Sequence, residues 1–170
     1  MRELILGGAR SGKSAWAERR AAQGGLSVVY VATAQARDEE MHERIRRHRA
    51  QRPSHWALLE QPLALADSLL ELADDNRCVL VDCLTVWLSN LLEAGDRVLE
   101  EQRDALLACL DRLPGHIILV SNEVGQGIVP TNPLARRFVD EAGRLHQQLA
   151  ARCERVTLVV AGLPQILKEE

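Results

Sequence analysis

Aromatic side chains are scarce in this sequence: three tryptophans, one tyrosine and one phenylalanine make up 3% of its 170 residues. Proteins that bind single-stranded nucleic acids stack the bases on exposed rings, so this composition disfavours such a platform. An excess of basic residues is also missing, because the formal net charge is −3. Binding to duplex nucleic acid usually depends on a basic surface. We therefore expect no nucleic-acid partner, whereas a small anion held by a local motif remains compatible with the sequence.

Paired cysteines and long apolar runs are absent as well. The four cysteines, Cys78, Cys83, Cys109 and Cys153, form no CxxC pair and do not have the spacing of a zinc site. No apolar run approaches the ~18 residues of a membrane span. The start of the chain, Met1-Arg2-Glu3 followed by three apolar residues, is too short and too acidic to resemble a signal peptide. We therefore expect a reduced, cytoplasmic protein with no membrane span.

Short apolar runs alternate with longer segments of helical composition. The runs do not alternate with polar residues, which predicts strands covered on both faces; they lie at 4–6, 28–31, 79–81, 117–120 and 156–160. Helices are predicted at about 13–22, 38–50, 64–74, 85–112 (interrupted near Gly95) and 134–152. This order is typical of α/β proteins with a mostly parallel sheet between helices. The length suits one domain, 1–170, with a single core.

A glycine-rich segment after the first strand matches the phosphate-binding pattern G-x-x-x-x-G-K-[ST] without a mismatch. It consists of Gly7, Gly8, Ala9, Arg10, Ser11, Gly12, Lys13 and Ser14. Its glycines allow successive backbone N–H groups to turn toward an anion, and the following helix adds its free amino-terminal donors. In this pattern Lys13 reaches the β- and γ-phosphates, and the Ser14 hydroxyl is a ligand for Mg²⁺. The sequence therefore predicts a nucleotide-binding domain.

A carboxylate near the metal is expected at the end of a neighbouring strand. The apolar run 79–81 is followed by Asp82, which fits this Walker B pattern. The alternative is that Asp82 caps the helix that begins near Thr85. We favour the metal role because the phosphate loop requires such a group.

The motifs of a guanine-nucleotide switch protein are not found. Residues 140–143 match Asp-x-x-Gly as letters, but they lie inside a predicted helix, and the chain contains no Asn-Lys pair for reading a guanine base. The fourth predicted strand ends instead in Ser121-Asn122-Glu123. Glu123 fits the role of a base for a substrate hydroxyl, although an acid in this position as often orders a loop.

His48 lies in a densely charged segment in which acids precede arginines, the order that the helix dipole favours. The spacing of Met41, Ile45 and His48 puts them on one face of the predicted helix. Cationic neighbours favour the neutral, nucleophilic form of an imidazole and can hold phosphates against it. These are the requirements for a phosphoramidate-forming histidine. A lone histidine in such a position can also be structural.

The sequence resembles the bifunctional adenosylcobinamide kinase / adenosylcobinamide-phosphate guanylyltransferase family over nearly its whole length. The matching segments are LGGARSGKS (6–14), YVATA (30–34), DEEM (38–41), RIRRHR (44–49), RP (52–53), HW (55–56), DCLT (82–85), WLSN (87–90), SNEVG (121–125) and GIVP (127–130). The segment around His48 and the SNEVG run are far more specific than the phosphate loop alone.

The resemblance implies a P-loop NTPase fold of the RecA-like, three-layer type and two reactions. In the first, ATP or GTP phosphorylates the aminopropanol hydroxyl of adenosylcobinamide. In the second, GMP is transferred from GTP to adenosylcobinamide-phosphate through a GMP-histidine intermediate. Mg²⁺ is the implied metal, and the implied assembly is a homotrimer.

The resemblance also implies individual site residues. His48 is the residue that carries GMP; some family members have a His-His doublet where this chain has Arg47-His48, and His48 aligns with the second. Further nucleotide-contacting positions are Ala32, Thr33, Ala34, Arg49, Ala50, Gln51, Arg52, Glu60 and Asp82. Two alternatives stay open at this point. One is a P-loop small-molecule kinase without guanylyl transfer, and the other is a nucleotide-sensing protein without turnover.

Overall fold

The computed structural model describes residues 1–35 and 53–170. Its strands are β1 (Arg2–Gly7), β2 (Ser27–Ala32), β3 (Ala57–Glu60), β4 (Arg77–Asp82), β5 (His116–Asn122), β6 (Arg155–Val160) and β7 (Leu163–Glu169). Its helices are α1 (Lys13–Gln23), α2 (Leu65–Leu72), α3 (Leu84–Ala94), α4 (Asp96–Leu110) and α5 (Pro133–Arg152). The helix predicted at 38–50 lies outside the described residues.

The strands form one sheet with the order β3-β2-β4-β5-β1-β6-β7. All neighbouring pairs are parallel except β6 and β7, which are antiparallel. The prediction of a mostly parallel sheet is therefore confirmed, and each of the five predicted strands is present. Two further strands, β3 and β7, form the edges of the sheet, and the sequence analysis did not predict either of them.

Helices cover both faces of the sheet, because successive residues of a strand point to opposite sides. Leu4 and Leu6 of β1 belong to a core cluster with apolar residues of α2, α3, α4 and α5. Ile5, between them, packs instead with Ala17 and Ala21 of α1. Because the central strands are covered on both sides, they read as continuous apolar runs. The result is a three-layer α/β arrangement with α1 on one side and the other described helices opposite.

Local signals in the sequence set the ends of the helices. The interruption predicted near Gly95 is confirmed: α3 and α4 are separate helices, and Gly95 between them has a φ of 112°, a conformation that suits glycine. Helix α5 begins at Pro133, and the Asn132 side chain accepts hydrogen bonds from the N–H groups of Leu134 and Ala135. Of the described helices, none has the length and apolar character needed to cross a membrane.

The cysteines are free thiols and none is paired. Burial raises the pKa of Cys78 and of Cys153 to about 12. Burial also raises the pKa of Cys83 and Cys109. These thiols stay protonated and pack as small apolar side chains.

Candidate functional site: a phosphate loop at the carboxyl edge of the sheet

Three neighbouring strands end together at one edge of the sheet. Asn122 is the register partner of Gly7 on β1, and Val120 on the same strand is the partner of Asp82 on β4. In open parallel sheets, ligands bind outside this carboxyl edge. The predicted phosphate loop and the predicted metal-binding carboxylate are therefore on the same edge, with β5 between them.

Glycine is required at two positions of the phosphate loop. A Cβ at Gly7 would lie 2.4 Å from Ser11 Oγ and 2.7 Å from the Val159 carbonyl oxygen, so there is no room for one. Gly12 has a φ of 92°, and a Cβ there would lie 3.1 Å from Gly162 Cα in the turn between β6 and β7. The Gly162 N–H also donates to the Ser11 carbonyl oxygen at 2.7 Å. The β6–β7 turn therefore forms one wall of the loop.

The beginning of α1 is arranged to receive an anion. No side chain caps this helix, and its first turn contains no acidic residue. Its amino-terminal N–H groups and the positive end of its dipole therefore favour a negatively charged group. The Lys13 side chain is 8% exposed, and its Nζ donates to the Gly8 carbonyl oxygen at 3.2 Å across the loop. Ser11 Oγ is buried and has no partner among the described residues.

Asp82 is the last residue of β4 and is half-buried. The alternative role of Asp82 as a helix cap is not observed. The N-cap position of α3 is Cys83, and no side chain makes a capping hydrogen bond to this helix. A carboxylate from Asp82 and a hydroxyl from Ser14 are hard oxygen ligands of the kind that suit Mg²⁺. Mg²⁺ commonly uses one or two protein groups, with water and substrate phosphates as its other ligands. The described residues contain no cluster of three or more acids, histidines or cysteines that could hold a metal ion.

Thr33 is completely buried, and its side chain is used inside the protein. Its hydroxyl donates to the Cys83 carbonyl oxygen at 2.7 Å and accepts from the Cys83 N–H at 3.1 Å. Asn90 Nδ2 of α3 donates to the Thr33 carbonyl oxygen at 2.9 Å and to the Pro62 carbonyl oxygen at 3.1 Å. Thr33, predicted to contact the nucleotide, thus uses its buried side chain to fix the backbone of Cys83, the residue after Asp82. Its neighbours Ala32 and Ala34 are half-buried.

Glu60 ends β3 at the far edge of the sheet, opposite Ala32 of β2. Four strand spacings separate β3 from β1, about 19 Å at 4.8 Å per spacing. Glu60 is therefore remote from the phosphate loop, and its predicted contact with the nucleotide remains a prediction. The loop after it is fixed by α3, because Trp87 Nε1 donates to the Leu63 carbonyl oxygen at 2.8 Å.

Five of the predicted site residues lie outside the described residues: His48, Arg49, Ala50, Gln51 and Arg52. Their roles therefore remain predictions. The described residues closest to them in the sequence are Gln35 and Pro53.

A buried polar cluster joins β5 to the helices behind the site, and the sequence analysis did not predict it. His146 Nε2 lies 2.8 Å from Ser121 Oγ, and burial lowers the pKa of this histidine although Glu123 opposes that effect. Ser121 Oγ lies 3.4 Å from Thr85 Oγ1, which accepts from the Asn122 N–H at 2.7 Å. The cluster ties the segment after Asp82 to the end of β5. The polar residues that follow an apolar run were the only signal for it.

Comparison with known proteins identifies the family of the chain. The family model described as "Cobinamide kinase / cobinamide phosphate guanyltransferase" matches residues 3–167. The bifunctional adenosylcobalamin biosynthesis protein CobP of Pseudomonas aeruginosa is 64% identical over 171 residues, which cover 100% of this chain and 99% of that protein. The bifunctional adenosylcobalamin biosynthesis protein CobU of Escherichia coli K12 is 40% identical and that of Salmonella typhimurium LT2 is 42% identical, each with 94% of this chain and 96% of the relative covered.

Solved structures with low sequence identity share the fold. The Pyrococcus horikoshii OT3 protein of Project ID PH0250 gives a TM-score of 0.56 at 10% identity, with 99% of this chain and 86% of that chain covered. The ATPase EscN from the type III secretion system of enteropathogenic E. coli gives 0.54 at 17% identity, with 93% and 41% covered. These two similarities support the α/β fold and nothing more specific. The match over 3–167 and the close relatives carry the assignment: the chain belongs to the cobinamide kinase / cobinamide phosphate guanyltransferase family.

Proposed function

We propose that this protein catalyses two successive reactions of adenosylcobalamin biosynthesis at the carboxyl edge of its sheet. The first phosphorylates adenosylcobinamide with ATP or GTP. The second transfers GMP from GTP to adenosylcobinamide-phosphate and gives adenosylcobinamide-GDP. The observation that carries the proposal is a complete phosphate loop, with an uncapped helix start and Asp82 on the same edge, in a chain of this family.

In the kinase reaction the substrate hydroxyl attacks the γ-phosphate of the bound nucleotide. The loop N–H groups and Lys13 stabilise the charge that spreads over the transferred phosphoryl group and the leaving diphosphate. Catalysis of this kind depends mainly on position and charge, which a rigid loop on buried strands provides.

In the guanylyl transfer we propose His48 as the nucleophile that receives GMP and releases pyrophosphate. Direct attack of one phosphate on another brings like charges together, whereas a neutral imidazole as the first nucleophile divides the reaction into two easier steps. The resemblance in residues 44–49 and the excess of arginines around His48 support this assignment.

For Mg²⁺ we propose Ser14 and Asp82 as the protein ligands. When bound, the metal ion offsets the charge of the triphosphate and of the leaving group. The Asp82 carboxylate is held in position from behind, since Thr33 fixes the backbone of Cys83.

We further propose a homotrimer and a cytoplasmic location. The trimer is supported by the family resemblance and by the β6–β7 hairpin, in which Val160, Leu163, Ile166 and Leu167 are large apolar residues that are more than half exposed. Apolar surface at a sheet edge is commonly covered in an oligomer. Light scattering coupled to size-exclusion chromatography tests this: three times the mass of 18.9 kDa is expected, and a monomer would contradict it.

Mass spectrometry after incubation with GTP and Mg²⁺ tests the central proposal. We expect one GMP added per chain and localised to His48, in a linkage that is labile to acid and stable to alkali. A small-molecule kinase without guanylyl transfer would phosphorylate cobinamide but show no GMP on the protein. A nucleotide-sensing protein would show neither the adduct nor phosphorylated cobinamide.

A further inference from the structure

Glu123 lies directly beside the phosphate loop, and its sequence position is compatible both with a base for a substrate hydroxyl and with a residue that orders the loop. Its backbone N–H donates to the Gly7 carbonyl oxygen at 3.0 Å. The residue before it, Asn122, is the register partner of Gly7 on the adjacent parallel strand. The Glu123 side chain therefore starts at the carboxyl edge of the sheet, next to the loop that is expected to bind the phosphates.

The other acids that end strands at this edge, within the described residues, are farther from the loop. Asp82 follows β4, two strand spacings or about 10 Å from β1. Glu60 follows β3, four spacings or about 19 Å from β1. Glu123 follows β5, which is adjacent to β1 at about 4.8 Å. Asp82 is in addition the proposed metal ligand, so among the described acids that end strands at this edge, Glu123 is the nearest to β1 without another chemical assignment.

The histidines within the described part of the chain do not compete for a proton-accepting role. His146 is buried, and its Nε2 is engaged with Ser121 Oγ at 2.8 Å. His116 begins β5, so it lies at the amino ends of the parallel strands, opposite the carboxyl edge, and it is beside Glu3. His55 precedes β3, the strand most distant from β1 on its side of the sheet.

The carboxylate of Glu123 is oriented by its own loop. Its Oε1 accepts a hydrogen bond from the Gly125 N–H at 2.5 Å, and a Cβ at Gly125 would come within 3.0 Å of the same oxygen. Oε2 makes no hydrogen bond within the described residues, and the side chain is half-exposed at the edge. One oxygen is thus fixed while the other is available to a ligand, an arrangement that suits a proton acceptor.

We propose that Glu123 is the general base of the kinase reaction, an inference that rests on the proposed function. As the acceptor hydroxyl oxygen forms a bond to the γ-phosphorus, its proton passes to Glu123 Oε2. The bond between the γ-phosphorus and the bridging oxygen breaks, and the nucleoside diphosphate leaves with that electron pair. The guanylyl transfer involves no hydroxyl acceptor, because a phosphate attacks, and so it needs no such base.

The Glu123→Gln variant tests this role. Glutamine keeps an oxygen that can accept from the Gly125 N–H, so it preserves the loop contact, but it cannot take up the proton. General bases contribute about 10²- to 10⁴-fold to such rates. We expect kcat for phosphorylation of cobinamide with ATP to fall by about 100-fold or more, with little change in KM. The rate of GMP transfer from α-labelled GTP to cobinamide phosphate should be affected much less. The fold-loss of the kinase rate should exceed the fold-loss of this rate by a factor of at least about 30.

The matched control is Glu100→Gln, which removes the same charge from an exposed position of α4. Kinase activity of Glu123→Gln close to that of the control would overturn the proposal. An equal loss of both activities would overturn it too, because it would show that Glu123 only orders the loop. If the wild-type protein itself phosphorylates no cobinamide, the proposed function fails instead, and this outcome is distinct.

A second variant covers the case in which Glu123→Gln does not fold. Glu123→Asp keeps the charge but withdraws the carboxylate by one methylene group. We expect a selective loss of kinase activity of at least about tenfold, because a base must lie within hydrogen-bond reach of the hydroxyl. Wild-type kinase activity in this variant would contradict the proposal.

Discussion

The Thr33 hydroxyl holds Cys83 at both of its backbone polar groups, donating to the carbonyl oxygen at 2.7 Å and accepting from the N–H at 3.1 Å. Thr33 follows β2, whereas Cys83 follows β4 and is the residue after Asp82. The two strands are adjacent in the sheet. One buried side chain therefore fixes the direction in which the chain leaves β4, and with it the position of the Asp82 carboxylate.

Thr33→Val should destabilise the protein. Valine has nearly the same shape but leaves the Cys83 N–H and carbonyl without their partner, and an unsatisfied buried group costs about 1–3 kcal/mol. Urea unfolding followed by circular dichroism measures the effect, with Thr33→Ser as the control that keeps the hydroxyl. A valine variant as stable as the wild type, or less destabilised than the serine variant, would contradict this role of Thr33.

His48→Ala should abolish guanylyl transfer while much of the kinase activity survives, because phosphoryl transfer does not require a histidine. Removal of a nucleophile that forms a covalent intermediate lowers the rate by about 10³-fold or more. Labelling with α-labelled GTP measures GMP on the protein. The control is His55→Ala, a histidine in an exposed position before β3, which should still be labelled. GMP on the His48→Ala protein would refute the assignment.

Lys13→Ala should weaken both reactions. Lys13 is a buried charged side chain of the phosphate loop, and both proposed reactions use a triphosphate in this loop. We expect each kcat/KM to fall by about 100-fold or more, since charge stabilisation of this kind is worth several kcal/mol. Steady-state kinetics of both reactions give the values, and Lys168→Ala, a lysine on β7, is the control for loss of a positive charge. A reaction that keeps its full rate does not use this loop.

The buried Glu3 should make stability depend on pH. It has no exposed surface, Arg20 donates to both of its carboxylate oxygens, and His116 Nε2 lies 3.4 Å away. Burial alone would raise the pKa of Glu3, but the contacts with His116 and Arg20 outweigh it, and the pKa is lowered. The stabilisation is therefore complete above the pKa of an unfolded glutamate, about 4.3, and is lost as the pH falls through the lower pKa of the folded protein.

Glu3→Gln tests this dependence. Removal of one member of a buried ion pair costs about 3–5 kcal/mol, so the free energy of unfolding should fall by that amount near pH 7. The gap to the wild type should shrink as the pH is lowered below about 4, where the wild-type carboxylate becomes protonated. Urea unfolding midpoints of the variant and the wild type, at pH 7 and at a pH below about 4, measure this difference in stability. The exposed Glu71→Gln variant is the control. A gap that does not change with pH would show that the pair contributes no charge-dependent stability.

Much of the fold was predictable because the central strands and the phosphate loop have strong local signals. Buried parallel strands appear as unbroken apolar runs, and Gly7, Gly12 and Lys13 are required by backbone geometry and charge within a few residues. The two edge strands have weaker signals. Strand β3 is only four residues long, and β7 is exposed and mixes polar with apolar residues. Both depend on pairing with a strand that is already in place, which the local sequence does not record.

Candidate site residues could be predicted where they form part of a local sequence motif. Contacts between residues that are far apart in the sequence could not be predicted. The position of Asp82 at the end of a strand could be predicted because it ends an apolar run. The role of Thr33 could not, because its partner Cys83 is 50 positions away in the sequence. The same holds for the contact of His146 with Ser121, which joins α5 to β5. Such contacts are fixed by packing of whole elements, and single-residue patterns do not encode them.

The contact between Gly162 and the phosphate loop has a consequence for the order of events during synthesis. Strand β1 is synthesised before the other described strands, yet its two neighbours in the sheet are β5 and β6, and the turn that contacts Ser11 and Gly12 follows β6. A growing polypeptide therefore contains every residue of the phosphate loop long before the loop can bind a nucleotide. The ability to bind a triphosphate should therefore appear in one late step, only after the β6–β7 hairpin has left the ribosome and has paired with β1.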